Sequence, residues 1–171
     1  MRHLACVVVL GLVLPLMPSS PAEAQLSYGG HVVEARDAFG GARGLGARVG
    51  VSVPLLPLRA YGTAEYFRPD CGPLDRCGLS GVSLDVNYAI LPIPLLSPYL
   101  TGGVVARRFH PGPAAADLSR DGGAFTDRGI HLGVGISAGV VGFRIFGEAR
   151  YEFVRAPERQ VVMRIGLLLG S

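Results

Sequence analysis

The chain has 171 residues with a formal net charge of +3, and only 17% of its residues are charged. This length corresponds to about one domain, and the basic residues are scattered among acidic ones, which argues against a nucleic-acid partner. The 25 glycines and 13 prolines disfavour a helical fold and favour strands joined by turns.

The first 24 residues have the features of a secretory signal peptide. Met1-Arg2-His3 is a basic start, an apolar run follows to Met17, and Ala22-Glu23-Ala24 is a small-x-small cleavage site. The apolar run is too short to span a bilayer comfortably, and no later stretch reaches the roughly 18 apolar residues of a transmembrane helix. We therefore expect a cleaved signal peptide over 1–24 and one exported domain over 25–171.

The rest of the chain alternates apolar residues with Gly, Ser or charged residues, in segments about as long as a strand that crosses a bilayer. Residues 81–90 show the pattern best, because Val82, Leu84 and Val86 alternate with Ser83 and Asp85. Successive side chains on a strand point to opposite faces, so each segment predicts one apolar and one polar face. The predicted strands are 28–36, 43–53, 58–67, 79–90, 98–109, 129–139, 143–154 and 160–169.

The connections between the predicted strands alternate in character. Those after the second, fourth and sixth strands are compact, whereas those after the first, third, fifth and seventh are polar and often longer, with 110–128 the longest. Short turns at one end and long loops at the other are typical of outer-membrane barrels. The predicted fold class is all-β, an eight-stranded antiparallel up-and-down transmembrane β-barrel.

On seven of the eight strands, the predicted apolar face carries no charge. Contact with lipid would explain this, because a charged side chain on the lipid face at the middle of the bilayer costs roughly 2–4 kcal/mol. The first strand fits poorly, because either phase places His31 or the pair Glu34 and Arg36 outward, and we expect a bulge or frayed start there. Two girdles of outward aromatic residues are expected at the membrane interfaces. They are Tyr88 and Phe143 near the short turns, and Tyr66, Tyr151 and Phe153 near the long loops.

The opposite face is rich in charged residues. Eight strands enclose a space that side chains nearly fill, so charges there must pair with each other. The predicted salt-bridge cluster of the lumen comprises Arg48, Glu65, Asp85, Arg107, Glu148, Arg150, Glu152 and Arg164. It is interpreted first as a structural plug and alternatively as a charged constriction or gate, since charged rings set pore selectivity.

Two cysteines follow the signal peptide, in the segment Cys71-Gly72-Pro73-Leu74-Asp75-Arg76-Cys77. An even count in an exported chain favours a disulfide, here a loop staple between Cys71 and Cys77. A metal pair is the alternative, but no second Cys or His pair lies nearby.

Evidence for catalysis is weak. Residues 133–138 fit the dinucleotide pattern G-x-G-x-x-A but lie inside a predicted strand with no helix after it, so the glycines are better explained by crowding in the lumen. His110 lies beside a loop that contains Ser119 and two aspartates, and His31 and His131 lie on other strands, but no nucleophile motif frames the serine. We expect no enzyme activity, no cofactor and no metal.

The chain resembles the OmpA-like family of small outer-membrane β-barrels over residues 25–169. The resemblance rests on the signal peptide, the eight-strand rhythm, a strand start at 97–103 (SPYLTGG) and the segment 147–151 (GEARY) before the final hairpin. It implies a barrel inserted by the outer-membrane assembly machinery, with a structural, adhesive or small-channel role. Two departures are that the chain ends on Gly170-Ser171 instead of an aromatic residue, and that no peptidoglycan-binding domain follows.

Three functions are compatible with these patterns. The first is a monomeric outer-membrane barrel in contact with lipid, with a largely plugged lumen and a structural or surface-interaction role; it predicts that Glu148→Ala destabilises the barrel. The second is a narrow gated pore for ions or small solutes. The third is a secreted, lipocalin-like barrel that binds an apolar ligand, in which the apolar faces would point inward.

Overall fold

The computed structural model describes residues 25–37, 40–52, 56–69, 77–91, 95–110, 125–140, 142–154 and 160–170. They form eight strands: β1 (Gln25–Asp37), β2 (Gly40–Ser52), β3 (Leu58–Pro69), β4 (Gly78–Ala89), β5 (Leu96–His110), β6 (Phe125–Val140), β7 (Phe143–Phe153) and β8 (Gln160–Gly170). In these residues no helix is long and apolar enough to cross a membrane.

Each strand pairs antiparallel with its neighbour in sequence, and β8 pairs with β1, so the sheet closes into an up-and-down barrel. The predicted fold class is thus confirmed. The predicted signal peptide lies outside the described residues.

The expected bulge or frayed start in the first strand is wrong. β1 begins at Gln25 and pairs with β2 without interruption up to the pair Asp37 and Gly40. His31 points into the lumen and is 5% exposed, which places Glu34 and Arg36 on the outer face near the loop end. Two outward charges are tolerated there because they pair with each other, with Arg36 Nε 2.8 Å from Glu34 Oε1.

The connections at the loop end are less uniform than expected. Residues 70–77 and 111–124 are long, but only residues 38–39 join β1 to β2, because the strand pairing extends further than the sequence indicated. β6 likewise begins at Phe125, four residues before its predicted start, where it pairs with Phe109 of β5.

The two faces of the barrel wall have the predicted distribution of polarity, which is the reverse of that in a water-soluble protein: the outside is apolar and the lumen is charged. Leu45, Leu84 and Ile165 are 69%, 66% and 64% exposed on the outside, whereas Arg164 and Asp85 are each 1% exposed inside. A water-soluble barrel would bury the first group and expose the second.

Large side chains in the lumen lie across from glycines on the neighbouring strand. Tyr99 is the register partner of Gly135, and a Cβ at Gly135 would overlap the Tyr99 ring. The side chains of His31, Tyr61 and Arg107 occupy the same kind of space, at Gly46, Gly50 and Gly81 respectively. In the dinucleotide-like segment, Gly135 therefore provides room for a side chain of the lumen, whereas Gly133 lies close to the backbone of Ala149 and Arg150.

We expect Gly135→Ala to destabilise the barrel by about 1–3 kcal/mol, because the added methyl group displaces the Tyr99 ring in a packed interior. Gly147→Ala is the matched control, since a Cβ there meets nothing within 4 Å. Equilibrium urea unfolding in detergent micelles measures both variants. Equal unfolding midpoints for the two would show that the space at Gly135 is not filled by Tyr99.

Candidate functional site: a buried ion-pair cluster in the lumen

The structure brings all eight residues of the predicted salt-bridge cluster together in the lumen. They come from β2, β3, β4, β5, β7 and β8, and none of them is more than 6% exposed. Their formal charges balance, with four guanidinium groups and four carboxylates: Arg48, Arg107, Arg150 and Arg164 face Glu65, Asp85, Glu148 and Glu152. This set is called the ion-pair cluster below.

Glu65 contacts three of the four arginines in the ion-pair cluster. Its Oε2 lies 2.8 Å from Arg107 Nη1 and 3.3 Å from Arg150 Nη2, and its Oε1 lies 2.5 Å from Arg164 Nε. His31 Nε2 lies 3.1 Å from the same Oε1. Each carboxylate oxygen thus has two charged or polar neighbours, which replace the water that Glu65 has lost.

Asp85 lies where side chains from opposite sides of the lumen come together. Arg150 Nη1 is 3.2 Å from its Oδ1, and Arg48 and Arg164 each approach Oδ2 to 3.5 Å. Thr63 donates a hydrogen bond of 2.8 Å to Oδ2. These contacts join β2, β3, β4, β7 and β8 through one carboxylate.

The remaining two carboxylates extend the cluster along the barrel axis. Glu148 pairs with Arg164, its register partner on β8, through a 2.9 Å contact. Glu152 accepts two hydrogen bonds from Arg107, at 3.0 and 2.6 Å. Such two-point guanidinium–carboxylate contacts fix orientation as well as charge.

Several residues outside the predicted set of eight complete the cluster. Tyr99 donates a 3.1 Å hydrogen bond to Glu148 Oε2, and Gln160 donates a 2.6 Å hydrogen bond to Glu152 Oε2. His131 Nε2 lies 2.9 Å from Asp85 Oδ1. The alternation of side chains along β5 and β8 places Tyr99 and Gln160 in the lumen, but nothing in the sequence indicates which carboxylate each side chain contacts.

Apolar and aromatic side chains lie on both sides of the ion-pair cluster. Towards the short turns, the Arg48 guanidinium lies 4.5 Å from the Tyr61 ring centroid and 4.6 Å from that of Phe146. Towards the loops, Arg107 lies 4.7 Å from the Phe67 ring. Phe67 belongs to an apolar layer that fills the loop end of the lumen and was not expected on a polar face: Val33, Ala35, Ala42, Phe67, Leu79 and Val162.

The lumen opens at the short-turn end into a small cavity of about 100 Å³. Arg59 and Arg144 are half-buried at its mouth, and neither has a carboxylate partner among the described residues. Since the ion-pair cluster is balanced, these two residues leave the mouth positively charged.

The five predicted girdle residues all face outward and are 38–51% exposed: Tyr66, Tyr88, Phe143, Tyr151 and Phe153. Tyr28, which is 54% exposed, adds to the short-turn girdle. Cys71 lies outside the described residues, so its disulfide with Cys77 stays a prediction.

The residues considered for catalysis do not form a constellation in the part of the chain that the structure describes. His31 and His131 each contact a carboxylate of the ion-pair cluster, and His110 lies on the outer face beside Ser80. Ser119 and its neighbouring aspartates lie outside the described residues. The described residues contain no group of three or more His, Cys, Asp and Glu side chains arranged to hold a metal.

We expect Glu148→Ala to destabilise the barrel by about 3–5 kcal/mol, because it removes one partner from each of two buried arginines. Glu34→Ala is the control, since it also removes a glutamate from an Arg pair, but on the exposed outer face, and should leave the unfolding midpoint unchanged. Urea unfolding in micelles measures both. An unchanged midpoint for Glu148→Ala would rule out a structural role for the cluster.

Comparison with known proteins identifies the fold and no family. No protein-family model and no curated protein sequence matches the chain. Among solved structures, it is similar to Ail, the attachment invasion locus protein of Yersinia pestis, with a TM-score of 0.60 and 12% identity over 88% of this chain and 99% of Ail. The N-terminal β-barrel domain of Pseudomonas aeruginosa OprF gives a TM-score of 0.60 and 14% identity, covering 87% of this chain and 100% of that domain.

A major outer membrane protein from Thermus thermophilus has a TM-score of 0.57 and 16% identity, covering 86% of this chain and 99% of that protein. These identities are low, but each alignment extends over almost the whole of the other chain. The described chain therefore has the fold of small bacterial β-barrels of this type.

Proposed function

We propose that this protein is a small integral outer-membrane β-barrel, exported with residues 1–24 as a cleaved signal peptide. The observation that carries the proposal is the distribution of polarity across the wall. The outer face is apolar over its central part and bounded by aromatic residues at both ends, while the charged side chains of the central region are buried inside. This arrangement is stable only when lipid covers the outside.

We further propose that the lumen is closed and that the role is structural or a surface interaction. Three layers support closure: the apolar layer at the loop end, the ion-pair cluster, and the aromatic pair Tyr61 and Phe146 below it. The cavity of about 100 Å³ lies below these layers. Similarity to a protein named for attachment supports a surface interaction through the loops.

The proposed partners are outer-membrane lipid and, during biogenesis, the outer-membrane assembly machinery. The barrel is proposed to act as a monomer without a cofactor, since a closed sheet has no free edge for pairing with a second chain.

Cell fractionation with an SDS gel of unboiled and boiled samples tests the membrane assignment. We expect the protein in the outer-membrane fraction, with a band that shifts on boiling, because a closed barrel with every backbone group paired resists SDS until heated. A soluble, unshifted protein in the periplasm or medium would contradict the proposal and favour the lipocalin-like alternative.

Single-channel recording in planar bilayers tests closure of the lumen. We expect no steady conductance from inserted protein, because eight strands leave no continuous water path past the packed side chains. Heat-dependent gel mobility of the same preparation controls for correct folding. Steady conductance steps would favour the gated-pore alternative.

A further inference from the structure

Charged side chains occur on the outer face at one end of the barrel only. In the described strands, every outward-facing charged residue lies near the loop end, and five of the six are basic: Arg36, Arg43, Arg68, Arg108 and Arg128, with Glu34 the single carboxylate. Glu34 pairs with Arg36 and, at 3.8 Å, with Arg43. The charges of Arg68, Arg108 and Arg128 have no described carboxylate partner.

A groove runs down the outer wall beneath two of these arginines. It crosses β4, β5 and β6, has a volume of about 420 Å³, and is almost entirely apolar apart from one arginine. Its outward lining residues are Val82, Leu84, Val104, Ala106 and Arg128. The register explains the groove: Ala106 lies between Val82 and Arg128 in one cross-strand row, and its small side chain leaves a gap between larger neighbours.

Arg128 closes the loop-side end of this groove, and Arg108 stands diagonally beside it. Arg108 pairs with Thr126, two residues from Arg128, and diagonal cross-strand neighbours lie about 7–8 Å apart. No outward carboxylate lies on the described parts of β4, β5 and β6. Two positive charges at this distance are stabilised by an anion between them.

The depth of this arginine pair suits a lipid headgroup. The next row towards the membrane centre pairs Ile130 with Phe153, a residue of the loop-end girdle. Aromatic girdles lie at the level of the headgroups, and long basic side chains extend from the apolar zone towards polar groups. Arg108 and Arg128 are therefore within reach of lipid phosphates, and the groove extends from Arg128 to the girdle row, where an acyl chain leaves its headgroup.

We propose that this groove binds one acyl chain of an anionic, phosphate-bearing lipid of the outer leaflet, with the phosphate held between Arg108 and Arg128. The guanidinium group matches phosphate geometry with two parallel hydrogen bonds, so two arginines can hold one phosphate on both sides. Ser80 and His110, whose Oγ and Nε2 atoms are 3.4 Å apart, are further polar residues on the outer face at the loop end. The site rests on the proposed function, since it requires insertion into a bilayer.

The same rim provides a matched control. Arg43 and Arg68 are direct cross-strand partners on β2 and β3, face outward at the loop end, and do not line the groove. If binding depends only on positive charge near the bilayer, removing either pair of arginines should have the same effect. If it depends on the groove, only the first pair should matter.

The experiment uses the full mature chain in nanodiscs of phosphatidylcholine that contain a small fraction of bisphosphorylated lipid A. Native mass spectrometry after release from the nanodisc counts the lipid A retained by each barrel. We expect one retained molecule for the wild type, and a loss of about tenfold or more for the double variant Arg108→Gln, Arg128→Gln, since charge-assisted hydrogen bonds are removed. Ala106→Phe, which fills the groove, should lose retention while keeping both charges.

The double variant Arg43→Gln, Arg68→Gln should retain lipid A as the wild type does, and excess inorganic phosphate should not displace it. Equal losses from both double variants, displacement by phosphate, or no retention by the wild type would each overturn the site. The heat-dependent gel shift of every variant confirms that it is folded. Failure of the wild type to enter nanodiscs would instead overturn the proposed function.

Discussion

A guanidinium group that leaves water for a narrow protein interior must regain its lost hydration from nearby acceptors, and carboxylates are the strongest available. The ion-pair cluster meets this requirement with equal numbers of guanidinium and carboxylate groups. A single carboxylate, that of Glu65, contacts three arginines: Arg107, Arg150 and Arg164. Much of the interior follows from this requirement. Tyr99, Gln160 and Thr63 supply further donors, and aromatic rings cover the two outermost arginines.

Space for these long side chains comes from the strand opposite. Glycine occupies the register position facing Tyr99, and also the positions facing His31 and Tyr61. A barrel of eight strands cannot widen locally without losing backbone hydrogen bonds, so room must be made by removing side-chain atoms from the wall. The high glycine content, which first indicated a β fold, thus reflects the packing of the lumen as well as the turns.

The sequence was sufficient for the existence of the strands, the phase of seven of them and the composition of the ion-pair cluster, because side-chain direction alternates with a period of two. The sequence was insufficient for features that depend on contacts with neighbouring strands. The sequence of β1 does not show which of its residues face the lumen. Pairing with β2 decides this, because the His31 side chain lies in the space left by Gly46. The apolar layer around Phe67 was missed, because alternation tells which face a residue occupies but not whether its neighbours across the lumen are charged. Individual ion pairs depend on distances across the lumen that no local pattern contains.

The placement of charge along the chain has a consequence for insertion of the proposed membrane barrel. Within the ion-pair cluster, Arg48 on β2 offsets Glu65 on β3, and Asp85 on β4 offsets Arg107 on β5. β7 carries two glutamates and one arginine, and Arg164 on β8 restores the balance. The neighbouring pairs β2–β3, β4–β5 and β7–β8 therefore each contribute no net charge from the cluster. Arg59 and Arg144, which break this neutrality, lie at the mouth of the cavity, so insertion from the short-turn side would not require them to cross the bilayer.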